Sequence, residues 1–427
     1  MSFTYLSIAS PLHDPKALSA ALADYEQALK ALGGRPQSAL EPEPEGCPFY
    51  FIQTGGVEND VIRRYRSHVQ QGTAGPVLLV AHPGHNALSA ALEILAQVKQ
   101  EGGMGRIYLL RGQEDEAVLA DMAQTIRCLE ANQKLSQDRI GRIGASSDWL
   151  VASSQRSDVV TRRFGARMLE LPLEELQAHI ARHVRPEDGP EFAIWQKATA
   201  HGAVSRETFA HAVGIARALR EVARFHRLSA LTLRCFDLLR QEQNTGCLAL
   251  SLLSDEGLTA GCEGDIPSIV LLRWLWHLTG RTAWMANPAD MDARRGDILL
   301  AHCTVPLGML ERYGLQTHFE SGLGVGLSGQ FPMGPVTLLR IGGAEMDQWW
   351  GVEGSLVENG HDARRCRTQA RIQVPAPAVC ELLDAPLGNH LVMAPGHVKR
   401  LFREAFHLLD GPKGRCGDGE GGVGCLP

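Results

Sequence analysis

Pro76-Val-Leu-Leu-Val-Ala-His-Pro-Gly84 indicates the fold more clearly than any other segment in the N-terminal half of this sequence. Its apolar run is continuous rather than alternating, which is typical of a strand that helices cover on both faces. Predicted strands and helices alternate on either side of it, from a strand at residues 2–9 to a strand at residues 139–143. This alternation predicts a parallel sheet wrapped by helices.

The remainder of the chain changes character twice. A second α/β pattern begins near residue 157 and includes a long helix, residues 205–226, that Ser205 caps. From Asp297 onward the segments become short, alternating and rich in glycine, which predicts antiparallel strands. We therefore predict two doubly wound α/β domains followed by a mostly antiparallel, barrel-like β domain. The expected ranges are 1–156, 157–296 and 297–410 for the three domains, and 411–427 for a glycine-dense, disordered tail.

The composition argues against several classes of protein. Hydrophobic residues make up 44% and charged residues 21% of the chain, and the net charge of −6 is small and dispersed. A nucleic-acid-binding protein would show a concentrated basic surface, and a membrane helix needs roughly 20 apolar residues in a row. The ten cysteines include no Cys-x-x-Cys pair, and the N-terminus carries no signal-peptide pattern. We therefore expect reduced thiols and a cytoplasmic protein with no nucleic-acid or membrane partner.

A pair of carboxylates in an apolar neighbourhood marks the first candidate site. Gly261-Cys-Glu-Gly-Asp265 lies between an apolar run and an apolar helix that Pro267 opens and Gly280 closes. Carboxylates are rarely buried unless a cation or a metal ion accompanies them. We therefore predict that Glu263 is a metal ligand and that Asp265 belongs to the same site.

Three polar residues downstream share one feature: each ends a hydrophobic run, where a strand would deliver its side chain to a cleft. They are Asn287, His302 in Leu300-Ala-His-Cys-Thr-Val-Pro306, and His390 in Gly388-Asn-His390. Together with Glu263, two imidazoles suit a divalent cation such as Mn²⁺ or Mg²⁺ that takes further oxygens from substrate or water. Taken singly, each histidine is also explained as an ordinary polar residue, so the prediction rests on the set.

Two loops at predicted strand ends allow two interpretations each. His82-Pro-Gly-His85 follows the buried strand, and its histidines either bind a ligand or simply end the strand. Gly144-Ala-Ser-Ser-Asp-Trp149 follows the strand at residues 139–143 and is either a capped turn or a contact to a small molecule. The second reading is open because ligands of open α/β sheets gather at the carboxyl ends of the strands.

The same residues resemble the L-fucose/L-arabinose isomerase superfamily, and within it the shorter, fucose isomerase-like group. The resemblance spans about residues 75–410 and rests on Leu79–Asn86, Gly246–Gly257, Ala260–Ser268, Leu278–Arg281, Met285–Pro288, Leu300–Pro306, Thr317–Gly322 and Gly388–His390. It implies an enzyme that interconverts an aldose and a ketose with Mn²⁺, or with another divalent cation such as Mg²⁺ or Co²⁺. It also implies a homo-oligomer whose active sites are shared between subunits.

The resemblance further implies roles for individual residues. Glu263 matches the metal-binding and catalytic glutamate of the family, His390 its C-terminal histidine ligand, and His302 a histidine ligand of the arabinose isomerase branch. The substrate implied is a hexose, a pentose or a 6-deoxy-6-sulfo sugar such as sulfoquinovose. The residues expected around that substrate are His318, Glu320, His82, His85 and, as a partner of a sulfonate, Arg234 or the cluster at residues 364–367.

The chemistry of such a reaction explains these residue types. Moving a carbonyl from C1 to C2 of a sugar needs a base beside the carbon and a Lewis acid on the oxygens. The long enzymes of the family have a second carboxylate where this chain has Asn287, and an asparagine can bind the metal through its carbonyl oxygen but cannot carry a proton. Either the base Glu263 works with Asp265, Glu320 or Asp290, or the protein binds sugars without converting them. An epimerase that acts through the same enediolate is a further alternative.

Overall fold

The computed structural model describes residues 3–37, 49–72, 75–183 and 188–409, so the predicted tail at 411–427 lies outside the described residues. The strands are β1 (Phe3–Ile8), β2 (Gly34–Gln37), β3 (Phe49–Ile52), β4 (Val77–Ala81), β5 (Gly105–Leu109), β6 (Arg139–Ile143), β7 (Arg167–Leu171), β8 (Ala230–Leu233), β9 (Thr259–Cys262), β10 (Trp284–Asp292), β11 (Asp297–His302), β12 (Arg312–Gln316), β13 (Gly326–Gln330), β14 (Gly334–Gly342), β15 (Gln348–Asn359), β16 (Thr368–Gln373) and β17 (Leu391–Pro395).

The helices are α1 (Pro15–Ala21), α2 (Ala23–Ala31), α3 (Glu58–Gln71), α4 (Ala87–Gln100), α5 (Glu116–Ser136), α6 (Ser157–Phe164), α7 (Leu173–Ile180), α8 (Phe192–Lys197), α9 (Arg206–His226), α10 (Cys235–Glu242), α11 (Cys247–Asp255), α12 (Ile266–Thr279), α13 (Ala376–Asp384) and α14 (Lys399–His407). A short 3₁₀ helix covers Leu307–Met309. Among the helices that the described residues form, none combines the length and the apolar character that crossing a bilayer requires.

The first sheet is parallel and has the strand order β2-β1-β3-β4-β5. The apolar segment that indicated the fold forms β4. Leu79 of this strand packs with α3 and α4 on one face, whereas Leu78 and Val80 pack with α1, α2 and α5 on the other. Because helices cover both faces, every position of the strand is apolar, as the sequence predicted.

The second sheet is also parallel, with the strand order β7-β6-β8-β9. Helix α12 follows β9 and begins at Asp265, whose side chain accepts the backbone N–H of Ser268 at 2.7 Å. Pro267 lies in its first turn, and the helix ends at Gly280, which is left-handed with a φ of +67°. These are the start and stop signals that the sequence carried, and they place Glu263 in the short turn between β9 and α12.

Six strands then form a closed antiparallel barrel with the order β10-β11-β16-β15-β14-β17. A separate antiparallel pair consists of β12 and β13. The fold class predicted from the sequence is thus confirmed: two parallel α/β sheets are followed by a barrel of antiparallel strands. The barrel positions two predicted site residues, because His302 is the last residue of β11 and His390 immediately precedes β17.

Two strands pair across the predicted domain boundaries. β6 lies before residue 156 but pairs with β7 and β8, and β10 lies before residue 296 but pairs with β11 and β17. The reason is that apolar patterning reveals where a strand runs, whereas its partners are set by contacts distant in sequence. The predicted three-domain division remains a prediction about which segments fold independently.

The contacts between residues divide the chain into two compact units. The first comprises residues 1–130 and 404–427, and the second comprises residues 131–403. The first sheet belongs to the first unit, while the second sheet and the barrel belong to the second unit. All residues of the candidate site described below, apart from His82 and His85, lie in the second unit.

A buried carboxylate ties α12 to the start of β6. Asp138 Oδ2 lies 3.0 Å from Arg273 Nε and 2.6 Å from His277 Nε2, and Asp138 Oδ1 lies 3.1 Å from Arg273 Nη2. Burial by itself raises the pKa of Asp138, but the bonds from His277 and Arg273 outweigh it and hold the pKa below its ordinary value. The fold therefore stabilises the ionised form of this side chain.

Asp138→Asn should reduce the free energy of unfolding by about 3–5 kcal/mol near neutral pH, because breaking a buried ion pair leaves the remaining charge uncompensated. The folded-state pKa is depressed, so the stabilisation is present above the unfolded value of about 3.9 and is lost as the pH falls through the folded value. Urea unfolding of both proteins at several pH values measures the difference. A difference that acidification leaves unchanged would contradict this assignment.

Candidate active site

Glu263 lies on a strained turn directly after β9. Its φ of +63° and that of Gly264, +71°, are both in the left-handed region, which is unusual for a residue that carries a side chain. The loop after β6, residues 144–149, holds the turn in place. The Ser147 N–H donates to the Glu263 carbonyl at 2.8 Å, and the Ser146 hydroxyl donates to the Gly264 carbonyl at 2.7 Å. Strain of this kind persists only where the surroundings fix it, and it is concentrated at functional sites.

The turn brings the Glu263 carboxylate against two histidines of the barrel. Ligand atoms of Glu263, His302 and His390 all lie within 4.8 Å of one another, and all three side chains are buried. The structure therefore assembles the carboxylate and both imidazoles that the sequence singled out. Within the described ranges, no other group of three or more histidine, cysteine or acidic side chains has a spacing that would hold a metal ion.

His390 has one occupied and one unpartnered nitrogen. Its Nδ1 lies 2.9 Å from Asp265 Oδ2 and donates to it. Its Nε2 is buried without a hydrogen-bond partner and lies 3.6 Å from Glu263 Oε1. Burial alone would lower the pKa of His390, but the hydrogen bond to Asp265 and the negative charges of Asp265 and Glu263 outweigh it and raise the pKa to about 9. A buried nitrogen beside a carboxylate, with its other nitrogen fixed by a second carboxylate, is the arrangement that metal-binding histidines show.

Arg340 of β14 neutralises Asp265 in the interior. Both side chains are 0% exposed, and Arg340 Nη1 lies 3.1 Å from Asp265 Oδ2. The same guanidinium donates to the hydroxyls of Ser268 and Ser153, each at 2.6 Å. Burial raises the pKa of Asp265, but Arg340 and His390 outweigh it and hold that pKa far below its ordinary value. Asp265 is therefore an ionised carboxylate whose oxygens are fully engaged.

Trp149 fixes the second oxygen of Glu263. Its indole Nε1–H donates to Glu263 Oε2 at 2.7 Å, although the residue is 51% exposed. The ring packs edge-to-face against Phe236 at 4.8 Å between centroids. Burial raises the pKa of Glu263, but the positive charge of the adjacent His390 and the Trp149 hydrogen bond outweigh it and lower the pKa. Glu263 is thus held ionised, with Oε2 fixed by Trp149 and Oε1 facing His390.

His302 is positioned differently from His390. The Thr304 N–H donates to His302 Nδ1 at 3.1 Å, so a neutral His302 carries its proton on Nε2 and is a hydrogen-bond donor there. Burial and the charge of His390 lower the pKa of His302 to about 4, which keeps it neutral at physiological pH. Of the three clustered residues, Glu263 and His390 therefore suit a cation best.

A cavity of about 60 Å³ opens in front of this cluster. Among the residues that line it are five that the sequence predicted at the site: Glu263, Asn287, His302, His318 and Glu320. Asn287 Oδ1 lies 3.5 Å from Asn389 Nδ2, and His318 Nδ1 lies 3.2 Å from the Ser321 hydroxyl. Burial lowers the pKa of His318, whereas the Glu320 side chain is exposed. Five of the residues expected at the site thus share one cavity.

The side chains predicted to bind a sulfonate and to carry a proton, Arg234 and Asp290, already form ion pairs within the protein. Arg234 is bound by Asp237 and, at 3.1 Å, by Asp148, and it also donates to the Ser146 carbonyl. It is not among the residues that line the cavity. Asp290, a candidate second acid/base, lies 3.3 Å from Arg365. The cluster at residues 364–367 therefore makes ion pairs of its own.

The two histidines after β4 belong to the first unit and differ from each other. His82 is buried, with Nε2 3.0 Å from the Gln53 carbonyl and Nδ1 accepting the Gly84 N–H at 3.2 Å. Burial lowers its pKa. His85 is exposed, has a φ of +52°, and lies edge-on to the His13 ring at 5.5 Å. The hydrogen bonds of His82 fit the interpretation that it simply ends the strand. The exposed His85 side chain is accessible to a ligand.

Two site residues that were not predicted carry partial signals in the sequence. Arg340 interrupts an apolar strand, Val336-Thr-Leu-Leu-Arg-Ile341, and a charge in such a run needs a buried partner. Trp149 belongs to the loop at residues 144–149, for which the sequence left open a capped turn or a contact to a small molecule. Neither signal identifies Asp265 or Glu263 as the partner, because both contacts join segments that are more than 70 residues apart in sequence.

Gly264→Ala should destabilise the protein more than Gly280→Ala, although both positions are left-handed. A Cβ at 264 would lie 2.6 Å from Ser146 Cα, whereas a Cβ at 280 would meet nothing within 4 Å. We expect a loss of about 1–2 kcal/mol at 280 from the backbone conformation alone, and a further loss of about 1–3 kcal/mol at 264 from the clash. Urea unfolding measures both variants. Equal losses of stability in the two variants would show that the loop at residues 144–149 does not constrain the turn.

Two proteins of named activity are similar to this chain. No family model matches the chain. A sulfoquinovose isomerase of Alkalicoccus urumqiensis is 25% identical over 325 residues, which cover 71% of this chain and 70% of that protein. A sulfoquinovose isomerase of Clostridium sp. (strain MSTE9) is 21% identical over 271 residues, 60% of this chain and 59% of that protein. These similarities confirm the prediction of an isomerase, whereas membership of the L-fucose/L-arabinose isomerase superfamily stays a prediction.

Proposed function

We propose that the chain is a divalent-cation-dependent aldose–ketose isomerase whose substrate is sulfoquinovose or a closely related 6-deoxy-6-sulfo sugar. The observation that carries the proposal is the unpartnered Nε2 of His390 beside the ionised Glu263 carboxylate. The named activity of the two relatives supports the sugar class. One imidazole, a carboxylate oxygen and an amide oxygen are donors that Mn²⁺ accepts, with Co²⁺ and Mg²⁺ as alternatives.

Glu263 and His390 would hold the cation, with Asn287 contributing its amide oxygen. Asp265 accepts the Nδ1 proton of His390 and so presents Nε2 toward Glu263. Because Nε2 carries a proton in the absence of a cation, binding of the cation would release that proton. A bound divalent cation would act as a Lewis acid on the sugar oxygens at C1 and C2.

Glu263 is the base of the proposed reaction. Its lowered pKa keeps it ionised, and Trp149 holds Oε2 in place, so the carboxylate is ready to accept the proton from C2 and return it to C1. Neutral His302 carries a proton on Nε2 and can donate a hydrogen bond to a sugar oxygen. Glu320 and His318 line the same cavity and are the candidates to move a proton between O1 and O2.

Asp265 acts in this proposal as a positioning residue rather than as the acid/base group suggested by its sequence position. Its oxygens accept from Arg340, His390 and the Ser268 N–H, so no lone pair is directed at a substrate. The charge of Asp265 instead fixes the His390 ring and raises the basicity of its Nε2.

The proposal is tested with purified protein, Mn²⁺ and sulfoquinovose in D₂O, followed by NMR. We expect the ketose to appear with deuterium at C1, and the reverse reaction to place deuterium at C2 of the recovered aldose. Glu263→Gln should lower both rates by about 10²–10⁴-fold, the usual contribution of a general base. Glu311→Gln, an exposed glutamate outside the cavity, is the control and should behave as wild type.

Three outcomes separate the alternatives. A C2 epimer in place of the ketose would show an epimerase. Binding of the sugar without any deuterium exchange would show a silent sugar-binding protein, which the absence of a second carboxylate at Asn287 favours. Undiminished exchange in Glu263→Gln would refute the assignment of the base.

Asp265→Asn should weaken Mn²⁺ binding by about 10–100-fold, which is the usual effect of removing the partner of a ligating histidine. Asp138→Asn is the matched control, because Asp138 is also a buried carboxylate that binds one arginine and one histidine. Both variants should lose stability, and only Asp265→Asn should lose affinity. Titration calorimetry with Mn²⁺ measures the affinity. Equal affinities of the two variants would contradict the positioning role.

The proposal includes the homo-oligomer with shared active sites that the sequence resemblance implies. In such an assembly, His85 in the first unit would reach the substrate of a neighbouring subunit. Its exposure and its left-handed backbone support a role in binding. Light scattering of the purified chain tests this part, and the mass of a single subunit would exclude it.

A further inference from the structure

The cavity of the candidate site is lined by an unusual number of thiols. Of the seven free cysteines in the described part of the chain, five line this cavity: Cys235, Cys247, Cys262, Cys303 and Cys366. The proposed isomerisation uses none of them. Thiols placed beside reacting groups are exposed to whatever small oxidant enters the cavity.

Two of these thiols touch each other. Cys235 Sγ lies 2.9 Å from Cys262 Sγ, whereas a disulfide bond is about 2.05 Å long. Both residues stand at the carboxyl ends of neighbouring strands: Cys262 is the last residue of β9, and Cys235 begins α10 just after β8. β8 and β9 are hydrogen-bonded, with Leu233 directly opposite Cys262. The pair is therefore held together by the sheet rather than by flexible segments.

The pair is also joined directly to the proposed base, because Glu263 follows Cys262 in the chain. The Glu263 backbone is left-handed and its carbonyl is held by Ser147, so it has little freedom to absorb a displacement of Cys262. A Cβ at Gly264 would already clash with the loop on the other side. Movement of Cys262 toward α10 would consequently move the Glu263 carboxylate relative to Trp149 and His390.

We propose that Cys235 and Cys262 form an oxidisable dithiol, which a small peroxide converts to a disulfide that displaces Glu263 and switches the site off. The cavity of about 60 Å³ has room for a peroxide, since one water molecule needs about 10–15 Å³ on the same measure. Cys235 is 7% exposed and Cys262 is 3% exposed, so Cys235 is the thiol that meets the oxidant first.

The chemistry balances in two steps. The sulfur of Cys235 attacks one oxygen of hydrogen peroxide, the O–O bond breaks, and a sulfenic acid and one water form. The sulfur of Cys262 then attacks the sulfenic sulfur, the S–O bond breaks, and the disulfide and a second water form. The two thiols lose two hydrogens and two electrons, and the peroxide takes up both.

The disulfide itself does not depend on the proposed function, whereas its effect on turnover rests on it. The full-length protein is reduced, treated with hydrogen peroxide, alkylated, digested without reductant and analysed by mass spectrometry. We expect a linked peptide joining Cys235 to Cys262, and a loss of Mn²⁺ affinity and of turnover of at least about tenfold that dithiothreitol reverses. Each variant is compared with its own reduced form.

Cys235→Ser should lose both the linked peptide and the peroxide sensitivity. Cys380→Ser, which removes an exposed cysteine outside the cavity, should keep both. Oxidation of Cys380 without any Cys235–Cys262 peptide would overturn the proposal, as would a link between Cys303 and Cys366 in its place. A complete Cys235–Cys262 link that leaves Mn²⁺ affinity unchanged would overturn the coupling to Glu263. Absence of turnover in the reduced protein would refute only the proposed function, because the linked peptide is measured independently.

Discussion

The candidate site depends on the contact between Asp265 and His390. Asp265 is at once the N-cap of α12, the ion-pair partner of Arg340 on β14 and the acceptor for His390 at the start of β17. One carboxylate thereby joins the turn that carries Glu263 to two neighbouring strands of the barrel. The position of His390 Nε2 relative to Glu263 follows from this link.

A network of this kind is not the cheapest way to stabilise a protein interior. Burying charges is costly, and replacing a buried ion pair by apolar residues of similar volume is often neutral or stabilising. The described structure nevertheless places Arg340, Asp265 and His390 where all three are fully buried. The left-handed backbone of Glu263 is a second cost at the same place. Both unfavourable features lie next to the Glu263 carboxylate. A role in binding or catalysis explains them better than a contribution to stability does.

Much of the fold was predictable because it depends on local signals. Pro267 and Gly280 marked the ends of α12, Ser205 capped α9, and the continuous apolar run at residues 76–81 indicated a strand covered on both faces. The partners of β6 and β10 were not predictable, because strand pairing is set by contacts far apart in sequence. The same distinction holds for the site. Residues at the ends of apolar runs, such as His302 and His390, could be identified from the sequence. Trp149 and Arg340 could not, because the residues that they contact are distant in the chain.

Diffraction can show directly whether Glu263 and His390 bind a cation. Crystals grown with Mn²⁺ and measured at the manganese absorption edge would reveal the ion by its anomalous signal. We expect a peak at about 2.0–2.6 Å from a Glu263 carboxylate oxygen and from His390 Nε2, and no such peak in Glu263→Gln. A strong peak elsewhere in the protein, with hydrogen-bonded water between these two side chains, would contradict it.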